Sequence, residues 1–253
     1  MLKKLVFLIR QAGDRIRYMY ENEFSSKIFY KENQSPVTDA DYVSHEIIIT
    51  GLQELTPDIP VLSEENYADH TDYNDFDKYW LIDPLDGTKE FINHNNEFTV
   101  NMALIEYGIP VLGLIYAPMY NTLYYSWNNS AWKEQNNIIE KIRVIDHDPP
   151  NIVVSRSHDN RLLDQYLQNI NFNQIIRLGS SLKFCLVAEG KVQLYPRFGK
   201  TSIWDIAAGH AIIIASGGYM QSIQIDKRIN YILSSSNFSV INPSFYASSK
   251  LIK

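Results

Sequence analysis

Four stretches of this chain place acids where a stiff backbone would hold them. In WLIDPLDGTKEF, Trp80 to Phe91, Asp83 and Asp86 flank Pro84 and Leu85, with Gly87 and Thr88 following. A residue before proline is driven to an extended conformation, so YWLI can run as a buried strand that presents Asp83 at its end. Pro84 fixes the turn and Gly87 permits a backbone shape that other residues resist, so both carboxylates and the Leu85 carbonyl can point into one small volume. Such crowding is unfavourable without a cation, and oxygen donors lacking His or Cys neighbours suit a hard ion such as Mg²⁺ far better than zinc. VLSEEN adds Glu64 and Glu65 after Ser63, and WDIAAGHAIIIASGG sets Asp205 just before a small apolar helical run stopped by Gly217 and Gly218, as expected of an N-cap. SPVTDAD puts Asp41 where another helix begins. Were Glu64, Asp83, Asp86 and Asp205 to meet, four carboxylates could hold two or more cations, the arrangement that clamps a phosphoryl group during in-line displacement. Each motif alone has a plainer reading: an ordinary β-turn, a solvated acidic loop, or a helix cap at Asp205 and Asp41.

The elements that must position these acids follow from hydrophobic spacing. Leu2, Leu5, Ile9, Ala12, Ile16 and Met19 recur at helical intervals, which predicts an amphipathic first helix. Its Lys3 and Lys4 resemble the start of a secretory leader, but the apolar run is short and Arg10, Asp14 and Arg15 follow at once. Pro36, Thr38 and Asp39 precede a second helical pattern carrying Val43, Ile47 and Leu52. From Phe98 the runs FTVNMALI, PVLGLIYAP and TLYYSW read as an antiparallel meander. After DHDPPN, strands alternate with helices, which predicts a mixed sheet, and the tail SSSNFSVINPSFYASS reads as loop. The predicted class is α+β, with one lobe over residues 1–148 and a second over residues 149–253 acting as one functional unit.

The 253 residues are 45% hydrophobic and carry a formal charge of −6. An acidic chain offers no basic field for a nucleic-acid polymer, whereas a small anion can still enter an acidic pocket once metal ions reverse its potential. No run approaches the roughly 18 apolar residues a spanning helix needs, so no integral membrane segment is expected, while the basic end of the first helix leaves room for peripheral contact with a membrane surface. The single cysteine, Cys185, cannot form an internal disulfide and fits a reducing compartment. The six histidines show no paired metal-ligand spacing, and Trp80 and Trp204, each close before a candidate ligand, read as core residues buttressing the site.

GSSLKFC offers Ser180 and Lys183 at a helix start, where hydroxyl, ammonium and free backbone N–H groups suit an anionic substrate group, and Arg197 after LYP can add a bidentate grip. The plainer reading of Lys183 is a surface lysine on an amphipathic helix.

SPVTDAD, LSEEN, WLIDPLDGTKEF and WDIAAGHAIIIASGG, in this order, resemble the inositol monophosphatase-like superfamily of metal-dependent, lithium-sensitive phosphatases. Within it, DPLDGTKEFI, SRSH, GSSLKFCLVAEG and YPRFG are similar to the bacterial 3'(2'),5'-bisphosphate nucleotidases. The resemblance implies a layered αβαβα sandwich, with an antiparallel sheet in the N-terminal half and a mixed sheet in the C-terminal half. It also implies two or three Mg²⁺ ions: one held by Glu64, Asp83 and the Leu85 carbonyl, a second by Asp83, Asp86 and Asp205, and a weaker third near Glu64. Glu64, Asp41 and Thr88 become the catalytic residues, with Thr88 and Asp41 activating the attacking water. Ser180, Lys183 and Arg197 join Glu64, Leu85, Asp86, Gly87, Thr88 and Asp205 around the substrate, with His158 a further candidate. The implied reaction converts adenosine 3',5'-bisphosphate to AMP and phosphate, and its 5'-phosphosulfate analogue to adenosine 5'-phosphosulfate. That activity supports sulfate assimilation in the cytoplasm, at most peripheral to the inner membrane. An inositol or sugar monophosphatase and a noncatalytic nucleotide-binding relative are the alternatives. Two departures stand out: Asp39 within TDAD, where bacterial relatives often carry a small residue, and the tail beyond Gly218.

Overall fold

The computed structural model describes residues 1–22, 28–30, 36–67, 76–157, 161–224, 228–233 and 239–252. Helix α1 (Leu2–Glu21) buries Leu5, Ile9, Ala12, Ile16 and Met19, the stripe its spacing predicts, and packs on α2 (Asp39–Leu55). Both lie on one face of a seven-stranded sheet ordered β3 (Val61–Ser63), β4 (Lys78–Asp86), β5 (Thr99–Glu106), β6 (Ile109–Ala117), β7 (Thr122–Trp127), β8 (Ser130–Gln135) and β9 (Ile138–Ile142). The meander from β4 to β9 is antiparallel throughout, whereas β3 joins its edge in parallel. A short hairpin of β1 (Ile28–Tyr30) and β2 (Pro36–Thr38) precedes α2.

Strand β4 explains why YWLI is apolar without alternation. Tyr79 and Leu81 enter a core shared with α5 (Leu182–Ala188) and α6 (Ile203–Ala215), while Trp80 and Ile82 enter the core beneath α1 and α2. A strand covered on both faces has no polar side to display. Trp80 donates its Nε1–H to Thr56 Oγ1 at 3.0 Å and Trp204 is likewise buried, so both tryptophans are core residues as expected.

The second sheet is ordered β11 (Gln174–Leu178), β10 (Asn151–Ser155), β12 (Leu194–Arg197), β14 (Phe245–Ser248) and β13 (Tyr219–Ser222). β10 runs parallel to β11 and β12, and β14 runs antiparallel to β12 and β13. Helices α5 and α6 lie between the two sheets, and α4 (Arg161–Gln168) covers the outer face through Leu163 on Ile152, Val154 and Leu194. The layers are therefore α, β, α, β, α. The tail corrects the sequence reading: Phe245–Ser248 is an inner strand, not loop, with Phe245 and Ala247 in the core and every residue paired on both sides. Four residues flanked by serines carry too little apolar pattern to declare a strand. Among the described residues no helix is long and apolar enough to cross a membrane.

Candidate active site

The parallel pairing of β3 with β4 aligns Ser63 with Ile82, and the Glu64 N–H continues it by donating to the Ile82 carbonyl at 3.1 Å. Glu64 thus arrives beside Asp83. The ladder between β4 and β5 breaks between Asp83 and Asp86, where Pro84 and Leu85 bulge out of register. Within the bulge the Leu85 N–H donates to Asp83 Oδ1 at 3.1 Å, and Ser44 of α2 donates to the Pro84 carbonyl at 2.8 Å. Gly87 then takes φ +96°, a left-handed conformation, and caps the single-turn helix α3 (Thr88–Ile92). The expected turn, rigid on both sides, is in place.

Asp205 approaches from the first turn of α6. The helix cap is Ser202, three residues before the expected position, and Asp205 instead closes the turn by accepting the Ser202 N–H at Oδ2, 2.8 Å away. This leaves its other oxygen free to face the acids of β3 and β4. One carboxylate oxygen from each of Glu64, Asp83 and Asp205 lies within 4.8 Å of the others. Asp86 lines the same cleft outside that trio, and its Oδ2 accepts Asn101 Nδ2 at 3.4 Å.

Electrostatics follow from this crowding. Burial, then the charges of Glu64, Asp86 and Asp205, pushes the Asp83 carboxyl well above the usual carboxylate range. Burial and the charges of Asp86 and Glu64 do the same to Asp205. Asp86 rises to about 6 through burial, opposed by the ammonium of Lys183. An all-oxygen donor set in which neighbouring acids raise Asp83 and Asp205 fits a hard divalent cation, which would remove the repulsion.

Asp41 does two jobs with two oxygens. Oδ2 accepts the N–H and the hydroxyl of Thr38, each at 2.7 Å, closing the cap of α2, while Oδ1 accepts the Thr88 hydroxyl at 3.1 Å. The capping reading and the chemical reading of Asp41 therefore coexist. Burial pushes its carboxyl up to about 6 against the Thr38 hydrogen bonds. Asp39 opens α2 and is partly exposed.

Across the cleft, Lys183 is 5% exposed, which overturns the surface-lysine reading. Its ammonium donates to the carbonyls of Leu178 (3.3 Å) and Ser180, and burial lowers it to about 8 against the pull of Asp86. Arg197, also buried, donates to Ser155 Oγ at 2.6 Å and to the Lys200 carbonyl at 3.0 Å. Ser180 holds φ +49°, and with Gly179, Lys183 and Arg197 it walls a cleft of about 230 Å³ whose floor is Asp83, Asp86 and Asp205. His158 lies outside the described residues.

A model of the inositol monophosphatase family matches residues 1–250. The chain belongs to this family. It is 49% identical to the 3'(2'),5'-bisphosphate nucleotidase CysQ of Salmonella typhimurium over 97% of this chain and 98% of that protein. The CysQ nucleotidase of Escherichia coli K12 is 48% identical, covering 98% and 99%. Among solved structures, CysQ from Bacteroides thetaiotaomicron superposes with a TM-score of 0.81 at 36% identity, covering 98% and 97% of the two chains. Thermotoga maritima IMPase shares the fold at a TM-score of 0.79 and 23% identity, over 98% and 91%.

Sequence reasoning assigned no role to several residues of this cleft. Asn101, on the neighbouring strand, holds Asp86 and accepts the Ser181 hydroxyl at 2.7 Å, and Ser181 in turn pairs with Thr99 at 2.8 Å. Glu90, Glu97 and Arg156 also line or support the cleft. Asn101 and Thr99 showed only as polar residues inside the apolar run FTVNMALI, whereas Glu90 and Arg156 stand within WLIDPLDGTKEF and SRSH with no role assigned to them.

Proposed function

We propose that this chain is a Mg²⁺-dependent phosphatase that removes the 3'-phosphate of adenosine 3',5'-bisphosphate, giving AMP and phosphate. The observation that carries the reading is the convergence of the Glu64, Asp83 and Asp205 carboxylates beside a Thr88–Asp41 hydrogen bond. The choice of a nucleoside bisphosphate rests on the relatives named nucleotidases at 48% and 49% identity.

Glu64, Asp83, Asp86, Asp205 and the Leu85 carbonyl would hold the cations. When bound, divalent ions neutralise phosphoryl oxygens and acidify water. The remaining work belongs to the chain. Asp41 is fixed by Thr38 and reserves Oδ1 for Thr88, so the Thr88 hydroxyl can accept a proton from water while passing its own to Asp41. A carboxyl near 6 is ionised at neutral pH yet basic enough to take that proton. Gly87, Thr88, Lys89 and Glu90, at the start of α3, line the cleft where phosphate oxygens would sit. On the opposite wall, Ser180, Lys183 and Arg197 supply the positive field for the second phosphate. On this reading the same site would also take the 5'-phosphosulfate analogue and serve sulfate assimilation in a cytoplasmic enzyme, with the exposed Lys3 and Lys4 of α1 available to an anionic membrane surface.

A phosphate-release assay over adenosine 3',5'-bisphosphate, its 5'-phosphosulfate analogue and inositol 1-phosphate, with and without Mg²⁺ and Li⁺, tests the reading. Turnover is expected to be fastest on the bisphosphate, to require Mg²⁺ and to fall with Li⁺. Equal or faster turnover of inositol 1-phosphate overturns the substrate, and release that persists in chelator overturns the metal.

A further inference from the structure

Glu97 lies in the link between α3 and β5, a part of the chain that offers no ligand to the acidic trio, yet its contacts reach three loops of the cleft. The carboxylate is buried and accepts three hydrogen bonds: Arg156 Nε at 2.8 Å and Nη2 at 2.5 Å, and the Gly179 N–H at 2.7 Å. Its own N–H is held by Asn95 Oδ1 at 3.1 Å. Its carbonyl oxygen is packed so tightly that a Cβ on Gly87 would lie 3.0 Å from it and a Cβ on Gly179 only 2.9 Å away. The neighbouring Glu90 closes the other side of Gly179 and accepts the Ser157 hydroxyl at 2.5 Å.

A buried carboxylate costs several kcal/mol unless paired, and a bidentate arginine with a backbone donor is the geometry that offsets this. Here both donors come from the C-terminal half. Arg156 follows Ser155, the residue that accepts from Arg197, and Gly179 precedes Ser180, whose left-handed backbone and carbonyl anchor the Lys183 ammonium. A non-glycine residue keeps such a backbone only when its surroundings impose it. The Gly179 N–H on Glu97 and the Lys183 ammonium on the Ser180 carbonyl hold the two sides of this turn.

We infer that Glu97 is a positioning residue for the substrate wall: it pins the loops at Arg156 and Gly179 so that Arg197 and Lys183 face the cleft in fixed places. The inference rests on the proposed reaction, and it assigns to Glu97 an effect on substrate binding apart from the chemical step. The side chain touches neither the acidic trio nor Thr88. Its contact with Gly87 is through the backbone carbonyl, which side-chain variants keep.

The test is steady-state kinetics of Glu97→Ala, Glu97→Gln and Arg156→Ala at saturating Mg²⁺, alongside their melting temperatures. Glu97→Ala should raise KM for adenosine 3',5'-bisphosphate about tenfold while kcat changes by less than about threefold. Glu97→Gln keeps an acceptor for Gly179 and should recover part of that loss, and Arg156→Ala should fall between the two. A melting temperature that drops while KM stays within about twofold of the parent in all three variants would mean a purely structural staple and overturns the inference. A fall in kcat that matches or exceeds the rise in KM overturns it as well. If Glu97→Ala does not fold, the other two variants decide. If the parent enzyme leaves the bisphosphate intact, the proposed substrate is wrong, and the affinity of parent and variants for the bisphosphate as an unreacted ligand, measured by calorimetry, then tests Glu97 independently, with an unchanged Kd overturning the inference.

Discussion

Two walls of one cleft enclose charge in opposite ways. On the acidic wall, Asp83 and Asp205 gain one backbone donor each, from Leu85 and Ser202, while each faces neighbouring acids that raise its pKa. On the cationic wall, Lys183 and Arg197 are buried and largely answered by the protein, through the carbonyls of Leu178, Ser180 and Lys200 and the hydroxyl of Ser155, with the Arg197 Nε–H left without a partner. Acids that repel one another would be relieved by a bound cation, so that wall gains most from an ion supplied from outside the chain. Cations hydrogen-bonded internally form a rigid surface that presents shape and field without loose arms, which limits the entropy lost when a substrate is ordered against it.

Substitutions should therefore separate the walls. The largest effect is expected from Asp83→Asn. Outer-shell partners of metal ligands are typically worth 10- to 100-fold, so loss of a shared ligand should lower kcat by more than roughly 100-fold. Without added cation its melting temperature should stay level or rise, because a repelling charge is gone. A protein that kept near-normal rates would disprove the ligand role. Lys183→Ala should act in the opposite sense, raising KM about tenfold and costing about 2–3 kcal/mol, since two buried carbonyls lose their donor. Thermal melting checks it, and an unchanged melting temperature would show that the ammonium does not hold the turn.

The same contrast explains what could be read from the chain alone. The acidic wall was legible because proline, glycine and aspartate at fixed spacing encode a local turn, and Asp83, Asp86, Gly87 and Thr88 carry their geometry with them. The α1 stripe and the β5 to β7 meander were legible for a similar reason, since period and run length are local. The cationic wall was legible only in part: Ser180, Lys183 and Arg197 stand among the expected substrate contacts, but the burial of Lys183 was not readable. Whether Lys183 lies on the surface or in the cleft depends on α5 being covered by α6 and by both sheets, a tertiary fact invisible in GSSLKFC. Glu97 was silent because its three donors sit 59 and 82 residues away. The cap of α6 was misplaced at Asp205 because serine and aspartate three apart can exchange the cap and third-position roles, and here Ser202 caps while Asp205 takes the third position. Strand β14 was missed since its stability comes from two neighbours and not from its own four residues.

The smallest predicted effect, a few degrees, is also the one that sees both walls at once. Asp41 and Asp86 have folded pKa values near 6, raised from 3.8, and Asp83 and Asp205 move the same way. The native state thus holds more protons than the unfolded chain between about pH 4 and 6, so this contribution is full below pH 4 and is lost as pH rises through about 6. Lys183 does the reverse: its folded value near 8 lies below 10.5, the unfolded chain binds the extra proton between them, and stability rises across that interval. Melting temperatures measured from pH 4.5 to 10 in chelator should fall on the acid side by several degrees and recover on the alkaline side. Saturating Mg²⁺ should flatten the acid limb, because the cation cancels the repulsion that favours protonation, and should leave the alkaline limb in place. Asp83→Asn in chelator should shallow the acid limb, whereas Lys183→Met should remove the alkaline limb and steepen the acid one, since the ammonium no longer holds Asp86 down. An acid limb insensitive to both Mg²⁺ and Asp83→Asn would show that the carboxylates do not share a cation, whatever their spacing.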